Sequence, residues 1–158
     1  MFPHKSMHGG PGWQRELAEA FTSTDELLRY LELDPGHADD WAGAARSFPV
    51  RVPRGFAARM RKGDPQDPLL LQVLPQGQEV DAKIQAGYSL DPVGDGESEA
   101  LPGLLQKYSG RALLMAGPTC AIHCRYCFRR HYPYAESSLF SRHWDAAMER
   151  VQRDDSLR

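Results

Sequence analysis

Three cysteines fall within eight residues of this 158-residue chain, and their spacing is the feature that most clearly suggests chemistry. The segment Cys120–Cys127 reads C-A-I-H-C-R-Y-C, a C-x3-C-x2-C spacing. An odd number of cysteines cannot all pair within one chain, and a secreted disulfide scaffold distributes its cysteines to close loops. The clustering therefore predicts a metal or cluster site, formed by Cys120, Cys124 and Cys127, in a reducing compartment.

Two kinds of metal site are compatible with this loop. A cubane [4Fe–4S] cluster normally takes four thiolates, so three thiolates leave one iron open to chelate an amine and a carboxylate, as S-adenosylmethionine would offer. A structural zinc ion usually takes two separated pairs of ligands. Here there is one tight triplet, and His123 or His131 would have to supply the fourth ligand. The spacing favours the cluster, and zinc remains the alternative.

The elements around the loop must place the cysteines. Arg111–Ala116 predicts a short buried strand that ends at Gly117-Pro118. Ser141 is expected to cap a last helix after the loop. The apolar face of that helix consists of Trp144, Ala147, Met148 and Val151. Strand, ligand loop and helix make the first unit of a parallel α/β fold, with the site at the carboxyl end of the strand.

Two short helices are predicted near the start of the chain. Apolar residues at the spacing of one helical turn form a stripe on the first helix: Trp13, Leu17, Ala20 and Phe21. Ser23 and Glu26 predict a capping box at the start of the second helix, which ends at Asp34-Pro35-Gly36. Its buried face is formed by Leu27, Leu28 and Leu31.

Proline governs the segments that follow. Phe48–Pro53 is expected to be extended, because residues before proline avoid the α region, and a short helix is predicted over Phe56–Lys62. Asp67-Pro68 is expected to cap a further helical turn. Leu69–Leu74 is apolar and predicts either a helix or a buried strand. Pro75–Gly103 is polar and turn-rich, and we interpret it as a long connection.

The composition bounds the function classes. Hydrophobic residues make up 41% of the chain, close to the globular average. Lys and Arg number 19 against 21 Asp and Glu, a balance that gives no general attraction to nucleic acid or anionic membranes. No apolar run approaches the roughly 18 residues of a membrane span, and the first residues lack the apolar segment of a signal peptide. We therefore expect a cytoplasmic protein without a nucleic-acid or membrane partner.

The loop resembles the signature of the radical S-adenosylmethionine enzymes. The longer run Cys120–Tyr134 is similar to one branch of them, the lysine 2,3-aminomutase family, and the likeness extends from the region of Trp13 to the end of the chain. Four further segments carry it: Phe48–Pro53, Asp67–Pro75, Asp91–Asp95 and Pro102–Tyr108.

The resemblance implies an isomerase that converts L-lysine to (R)-β-lysine. Its cofactors would be a [4Fe–4S] cluster, S-adenosylmethionine and pyridoxal 5′-phosphate. The most similar branch supplies β-lysine for modification of elongation factor P, which implies that factor and its lysyl-transferring ligase as functional partners. The family fold is a partial (β/α) barrel with N-terminal helices outside it. The chain would then be a truncated α/β protein, with a helical and linker region at 1–100 and the start of the barrel at 101–158.

The resemblance also implies roles for individual residues. The three cysteines match the cluster ligands, and Tyr126 matches a residue on the side of the loop that meets the adenine. Arg129 matches an arginine that holds the lysine carboxylate, a task that suits a bidentate guanidinium. Arg111 matches an arginine near the pyridoxal and the substrate. Simple packing for Tyr126 and a solvated surface charge for each arginine are the alternatives.

The lysine that holds pyridoxal phosphate has no match here. In the family it lies far downstream, and none of Lys5, Lys62, Lys83 or Lys107 stands in its motif. We therefore expect this sequence to be the N-terminal part of an aminomutase, inactive by itself. A non-catalytic iron–sulfur or zinc-binding fragment is the alternative function.

Overall fold

The computed structural model describes residues 12–35, 38–117, 120–133 and 143–157. They form two compact units. The first contains the described residues up to Gly87 together with Ala121–Cys127, and the second contains Tyr88–Cys120 together with the described residues from Phe128 onward. The predicted boundary at residue 100, between the N-terminal region and the start of the barrel, refers to the family fold and stays a prediction.

Helix α1, Gly12–Ala18, opens the first unit. An ion pair between Arg15 and Glu19, one turn apart, lies on its exposed surface. The apolar stripe predicted for this helix is wrong, because Trp13 is exposed and the helix ends before Phe21. Phe21 is buried in an extended bridge instead: its N–H donates to the carbonyl of Val52 at 2.8 Å, and its carbonyl accepts from Val52 at 2.9 Å.

Helix α2, Thr24–Tyr30, begins after Ser23 as predicted. The Ser23 side chain makes no capping hydrogen bond, so the predicted capping box is wrong. The expected apolar face is confirmed, since Leu27, Leu28 and Leu31 are all buried.

Helix α2 ends earlier than the predicted stop at Asp34-Pro35-Gly36, because Glu32 adopts a φ of 59°. The N–H of Leu33 donates to the carbonyl of Leu28 at 2.9 Å, and that of Glu32 donates to Arg29 at 3.1 Å. This pair of hydrogen bonds is the Schellman motif, which usually places glycine at the left-handed position.

Two further helices flank the proline-rich segment. Helix α3 spans Ala38–Ser47, and helix α4 spans Arg54–Ala57 after Pro53. The extended conformation predicted for Phe48–Pro53 is confirmed at Val52, which forms the bridge with Phe21, whereas the N–H of Phe48 still donates to Ala44 in the helical manner. The helix predicted over Phe56–Lys62 begins earlier and is shorter, because the chain turns after α4.

Asp67 organises the turns that follow α4. Its Oδ1 accepts the N–H groups of Leu69 and Leu70 at 2.9 and 3.2 Å, and its Oδ2 accepts that of Arg61 at 3.1 Å. Burial raises the pKa of this carboxyl group, but the donated hydrogen bonds outweigh burial and hold the pKa below its ordinary value of 3.8. The predicted cap is confirmed, whereas Leu69–Leu74 forms successive turns and is neither a regular helix nor a strand.

The core of the first unit joins these elements. Ile122, from the cysteine-bearing segment, packs against it. The buried core residues are Phe21, Leu27, Leu28, Leu31, Val50, Val52, Ala57, Met60, Leu70, Val73 and Leu74.

The interpretation of Pro75–Gly103 as a long connection is wrong in part. This stretch contains a 3₁₀ turn at Gly77–Val80, helix α5 at Ala82–Gln85 and strand β1 at Glu99–Leu101. Elements of three or four residues are too short to leave a periodic pattern in the sequence.

The second unit contains a three-stranded antiparallel sheet in the order β1-β2-β3. Strand β2 spans Leu104–Tyr108, and strand β3 spans Arg111–Leu114. Each pair of neighbouring strands is joined by a two-residue turn, with Gly103 at φ 81° and Gly110 at φ 76°. Glycine adopts such backbone angles without steric cost.

Strand β3 confirms the position of the predicted strand but not its surroundings. It lies at an edge of the sheet, and Arg111, Ala112 and Leu113 are exposed, so the prediction of a buried strand is wrong. The strand pairs antiparallel with β2 rather than within a parallel sheet, because a short turn returns the chain at once.

Helix α6, Trp144–Arg153, closes the second unit. Ala147 is fully buried against Leu104, with Val151 packed beside it, which confirms that part of the predicted apolar face. Trp144 is exposed. The predicted cap, Ser141, lies outside the described residues.

The mixture of helices and a small sheet agrees with the broad α/β class. The truncated barrel unit stays a prediction. In the described part of the chain, no helix has the length and apolar character needed to cross a membrane.

Candidate functional site

The three cysteines lie on Cys120–Cys127, called the cysteine loop below, and none is disulfide-bonded. Cys120 is exposed and belongs to the second unit, whereas Cys124 and Cys127 are half-buried and belong to the first. Among the described residues, no three His, Cys, Asp or Glu side chains lie together as a metal-binding group. The donor types fit an iron–sulfur or zinc site, but these side-chain positions do not form an assembled set of ligands.

His123 anchors the cysteine loop to the first unit. Its N–H donates to the carbonyl of Arg51 at 3.0 Å, and its Nδ1 lies 2.8 Å from the carbonyl oxygen of Pro49. The imidazole stacks on Phe48 with the ring centroids 4.9 Å apart. These contacts fix the residue that precedes Cys124.

Tyr126 leaves most of its surface open. The side chain is 70% exposed, and its hydroxyl donates to the Oε1 of Gln72 at 3.2 Å. The structure therefore places an accessible aromatic ring directly before Cys127.

Arg129 lies in the second unit with 24% of its side chain exposed. Its Nε donates to the Oδ2 of Asp95 at 2.7 Å, and its guanidinium stands 4.7 Å from the centroid of the Phe128 ring. Among the described residues, Asp95 is the one hydrogen-bond acceptor of Arg129. In the described part of the chain, the two terminal nitrogens of Arg129 have no hydrogen-bond acceptor.

Asp95 is a buried and well-fixed partner for Arg129. Its N–H donates to the Oδ1 of Asp91 at 2.9 Å, and its own Oδ1 lies 3.7 Å from the Nζ of Lys107. Asp91 also accepts the N–H of Gly96 at 2.9 Å, and these two donated hydrogen bonds lower the pKa of Asp91. These hydrogen bonds and the nearby Lys107 ammonium group therefore fix the turn that carries Asp95.

Arg111 is exposed at the start of β3, opposite Tyr108. It shares the second unit with Arg129. Among the described residues, the two arginines share no hydrogen-bond acceptor and no ion-pair partner.

Arg125 is a site residue that sequence reasoning missed. It lies between Cys124 and Cys127, its side chain is 7% exposed, and its Nε donates to the Oε1 of Glu79 at 2.9 Å. An arginine near other arginines in a sequence usually indicates a solvated surface. No local sequence pattern links Arg125 to Glu79, which lies 46 residues away. Its place inside a compact cysteine loop is the one available signal.

No protein-family model matches the chain. Curated proteins named L-lysine 2,3-aminomutase do match it. The one from Escherichia coli (strain K12) is 48% identical over 149 residues, which cover 92% of the chain and 42% of the relative.

Two further relatives with the same name give the same result. The Haemophilus influenzae protein is 39% identical over 140 residues, covering 88% of the chain and 40% of the relative. The Buchnera aphidicola protein is 38% identical over 146 residues, covering 92% and 42%. The chain thus spans about two fifths of the length of these relatives.

Proposed function

Because this chain is a partial member of the lysine 2,3-aminomutase family, we propose that it is part of an isomerase that converts L-lysine to (R)-β-lysine. The identity to relatives with that name carries this proposal, and it agrees with the family resemblance of the sequence. The activity is that of the whole protein, of which the chain represents about two fifths by comparison with its relatives.

In this proposal Cys120, Cys124 and Cys127 would hold a [4Fe–4S] cluster that works with S-adenosylmethionine. When bound and supplied with an electron by an external reductant, these cofactors would provide for removal of a hydrogen atom from the substrate. The contribution of the chain is to supply the thiolates and to hold the loop by His123 and Arg125. Tyr126 offers its exposed ring to the adenine, with packing as the alternative role.

Arg129 is proposed to bind the carboxylate of lysine. Its Nε is engaged by Asp95, which orients the guanidinium and leaves the terminal N–H groups for a two-point contact with a carboxylate. Phe128 stacks under the same group and restricts its motion. Arg111 is proposed to lie near the pyridoxal and the substrate. The lysine that binds pyridoxal 5′-phosphate is expected in the part of the relatives that the chain does not match.

The functional setting follows from the same family branch. We propose a cytoplasmic enzyme whose product serves the modification of elongation factor P through its lysyl-transferring ligase. The support for this setting is the resemblance of the sequence.

Anaerobic reconstitution with iron and sulfide tests the metal assignment. About four irons and four sulfides per chain are expected, and Cys124→Ser should remove most of the iron. Stoichiometric zinc without iron uptake would favour the second candidate, a non-catalytic zinc-binding fragment.

A chimaeric protein tests the isomerase. The chain is joined to the part of the Escherichia coli relative that it does not match, and β-lysine is measured anaerobically with S-adenosylmethionine, pyridoxal phosphate, a reductant and L-lysine. Product is expected from the chimaera and not from the chain alone. A chimaera that folds and binds the cluster but forms no β-lysine would contradict the proposal.

Arg129→Ala in the same chimaera separates two steps. Removing the partner of a substrate carboxylate should cost about 2–4 kcal/mol, which lowers lysine turnover by about 30- to 1,000-fold. Reductive cleavage of S-adenosylmethionine should fall much less, because it depends on the cysteines. Equal loss of both steps would remove the carboxylate-binding role.

A further inference from the structure

The side chain of Arg125 joins the cysteine loop to two parts of the first unit. Its Nε and Nη2 donate to the two carboxylate oxygens of Glu79. Its Nη1 donates to the carbonyl of Phe48 at 2.8 Å, and Nη2 also reaches the carbonyl of Ala44 at 3.4 Å. The guanidinium stands 5.4 Å from the centroid of the Phe48 ring. One buried side chain therefore connects the loop to the 3₁₀ turn and to the carboxyl end of α3.

Contacts within and around the 3₁₀ turn also hold Glu79 in place. Its Oε1 also accepts the N–H of Gln76 at 2.9 Å, which closes a capping box on the 3₁₀ turn, and 16% of the side chain is exposed. The turn packs closely on α3, where a Cβ atom added to Gly43 would stand 3.2 Å from a methyl carbon of Val80. These contacts hold the Glu79 carboxylate in place independently of its ion pair with Arg125.

Main-chain hydrogen bonds also attach the cysteine loop to the rest of the first unit. The N–H groups of His123 and Arg125, on either side of Cys124, donate to main-chain carbonyls of the first unit at 3.0 and 2.7 Å. The N–H of Cys127 donates to the carbonyl of Cys124 at 3.2 Å. The two cysteines therefore share one turn, and Arg125 is the buried side chain within it.

We propose that Arg125 and Glu79 are positioning residues that set the places of Cys124 and Cys127. Removing one member of a buried ion pair leaves the other as an uncompensated charge, and removing Arg125 also takes its donor from the carbonyl of Phe48. The loop relieves both defects by moving. The inference concerns thiol positions in the metal-free chain, so it can fail while the proposed isomerase stands, and the reverse.

Alkylation of the native, metal-free chain by iodoacetamide tests the proposal. The rate at each thiol is resolved by mass spectrometry, with Cys120 as the internal reference because it belongs to the other unit. In Arg125→Met and in Glu79→Gln, we expect Cys124 and Cys127 to react about 3- to 10-fold faster relative to Cys120. This is the change that losing one net hydrogen bond makes in a local opening equilibrium. Folded variants with unchanged ratios would overturn the proposal.

The double variant Arg125→Met/Glu79→Gln distinguishes positioning from stability. It leaves no buried charge without a partner, so its thermal stability should return toward that of the wild type. The two thiol rates should nevertheless stay raised. Rates that return together with stability would show a merely structural pair. Glu19→Gln makes the same change in the exposed pair with Arg15 and should leave all three rates unchanged.

Hydrogen exchange of the wild type provides a test that needs no variant. The amides of His123 and Arg125 should be protected to the same degree as the bridging amides of Phe21 and Val52, since all four donate hydrogen bonds within one unit. Exchange of the loop amides at the rate of exposed turns would overturn the proposal, whatever the variants do.

Discussion

Glu32 is the residue with the clearest local strain. Its φ of 59° lies in the left-handed region, where a side chain crowds the following carbonyl group. The position follows helix α2 and is held by the two hydrogen bonds of the Schellman motif. The side chain accepts a hydrogen bond from Lys62 at 2.8 Å, in an exposed ion pair.

A comparison of Glu32→Gly with Glu32→Ala isolates this strain, since both variants lose the ion pair with Lys62. The glycine variant should be more stable than the alanine variant by about 0.5–1 kcal/mol, because glycine adopts the left-handed backbone freely but loses more entropy on folding. Urea unfolding followed by circular dichroism measures the difference. Equal stability, or a more stable alanine variant, would contradict the expected strain.

Single residues also show what the sequence can and cannot predict about the site. The cysteine triplet is evident because its three members lie within eight residues. The contacts of Arg125 with Glu79 and of Arg129 with Asp95 join residues 46 and 34 positions apart, and no local pattern connects them. The charge of each partner is visible in the sequence, but its burial depends on the folded chain.

At the scale of elements, the turn after α4 depends on one carboxylate. The pKa of the Asp67 carboxyl group is lowered in the folded state, because three backbone N–H groups donate to it. The group therefore stays charged at pH values below its ordinary pKa of 3.8. A group with a lowered folded pKa contributes stability above its unfolded pKa, and the contribution disappears as the pH falls through the folded value. The stability of the first unit should therefore fall as the solution is acidified below about pH 4.

Asp67→Asn tests this element. The variant should be less stable at neutral pH, and its stability should depend less on pH in the acid range than that of the wild type. Thermal unfolding at a series of pH values measures both effects. Glu26→Gln, at an exposed position of α2, is the matched control and should leave the acid dependence unchanged. An Asp67 variant with the acid profile of the wild type would contradict the role of this carboxylate.

Element prediction succeeds where a hydrophobic face is long enough to be periodic. Helix α2 and helix α6 show such faces, at Leu27, Leu28 and Ala147, and both were predictable. The 3₁₀ turn and α5 were not, because four residues provide one turn and no repeat. The exposure of β3 could not be predicted either, because an apolar run indicates that a strand is possible but not which residues cover it.

At the scale of the molecule, several large apolar side chains lie open to water. Tyr88 and Leu90 are 79% and 71% exposed. Covering such a side chain contributes roughly 1.5–3 kcal/mol. We expect the isolated chain to self-associate as its concentration rises, and light scattering coupled to size-exclusion chromatography measures this.

Tyr88→Ser/Leu90→Ser should reduce the association, because it removes apolar surface without touching a buried residue. Gln78→Ser, elsewhere on the exposed surface, is the control. A wild-type chain that stays monomeric at high concentration and melts in one sharp transition would contradict the expectation.

The first compact unit is discontinuous in the chain, because Ala121–Cys127 belongs to it although the preceding segment Tyr88–Cys120 belongs to the second unit. This connectivity has a consequence for synthesis. While the chain is still being translated, the helices and the bridge at Val52 can form, but the carbonyls that receive the cysteine loop remain hydrated until Cys127 leaves the exit tunnel. Closing a chain segment of that length costs about 3 kcal/mol of conformational entropy. The contacts with the cysteine loop are therefore the last of the first unit to form on the ribosome, and the thiols are accessible to oxidants and to metal donors from the time they leave the tunnel until the loop closes.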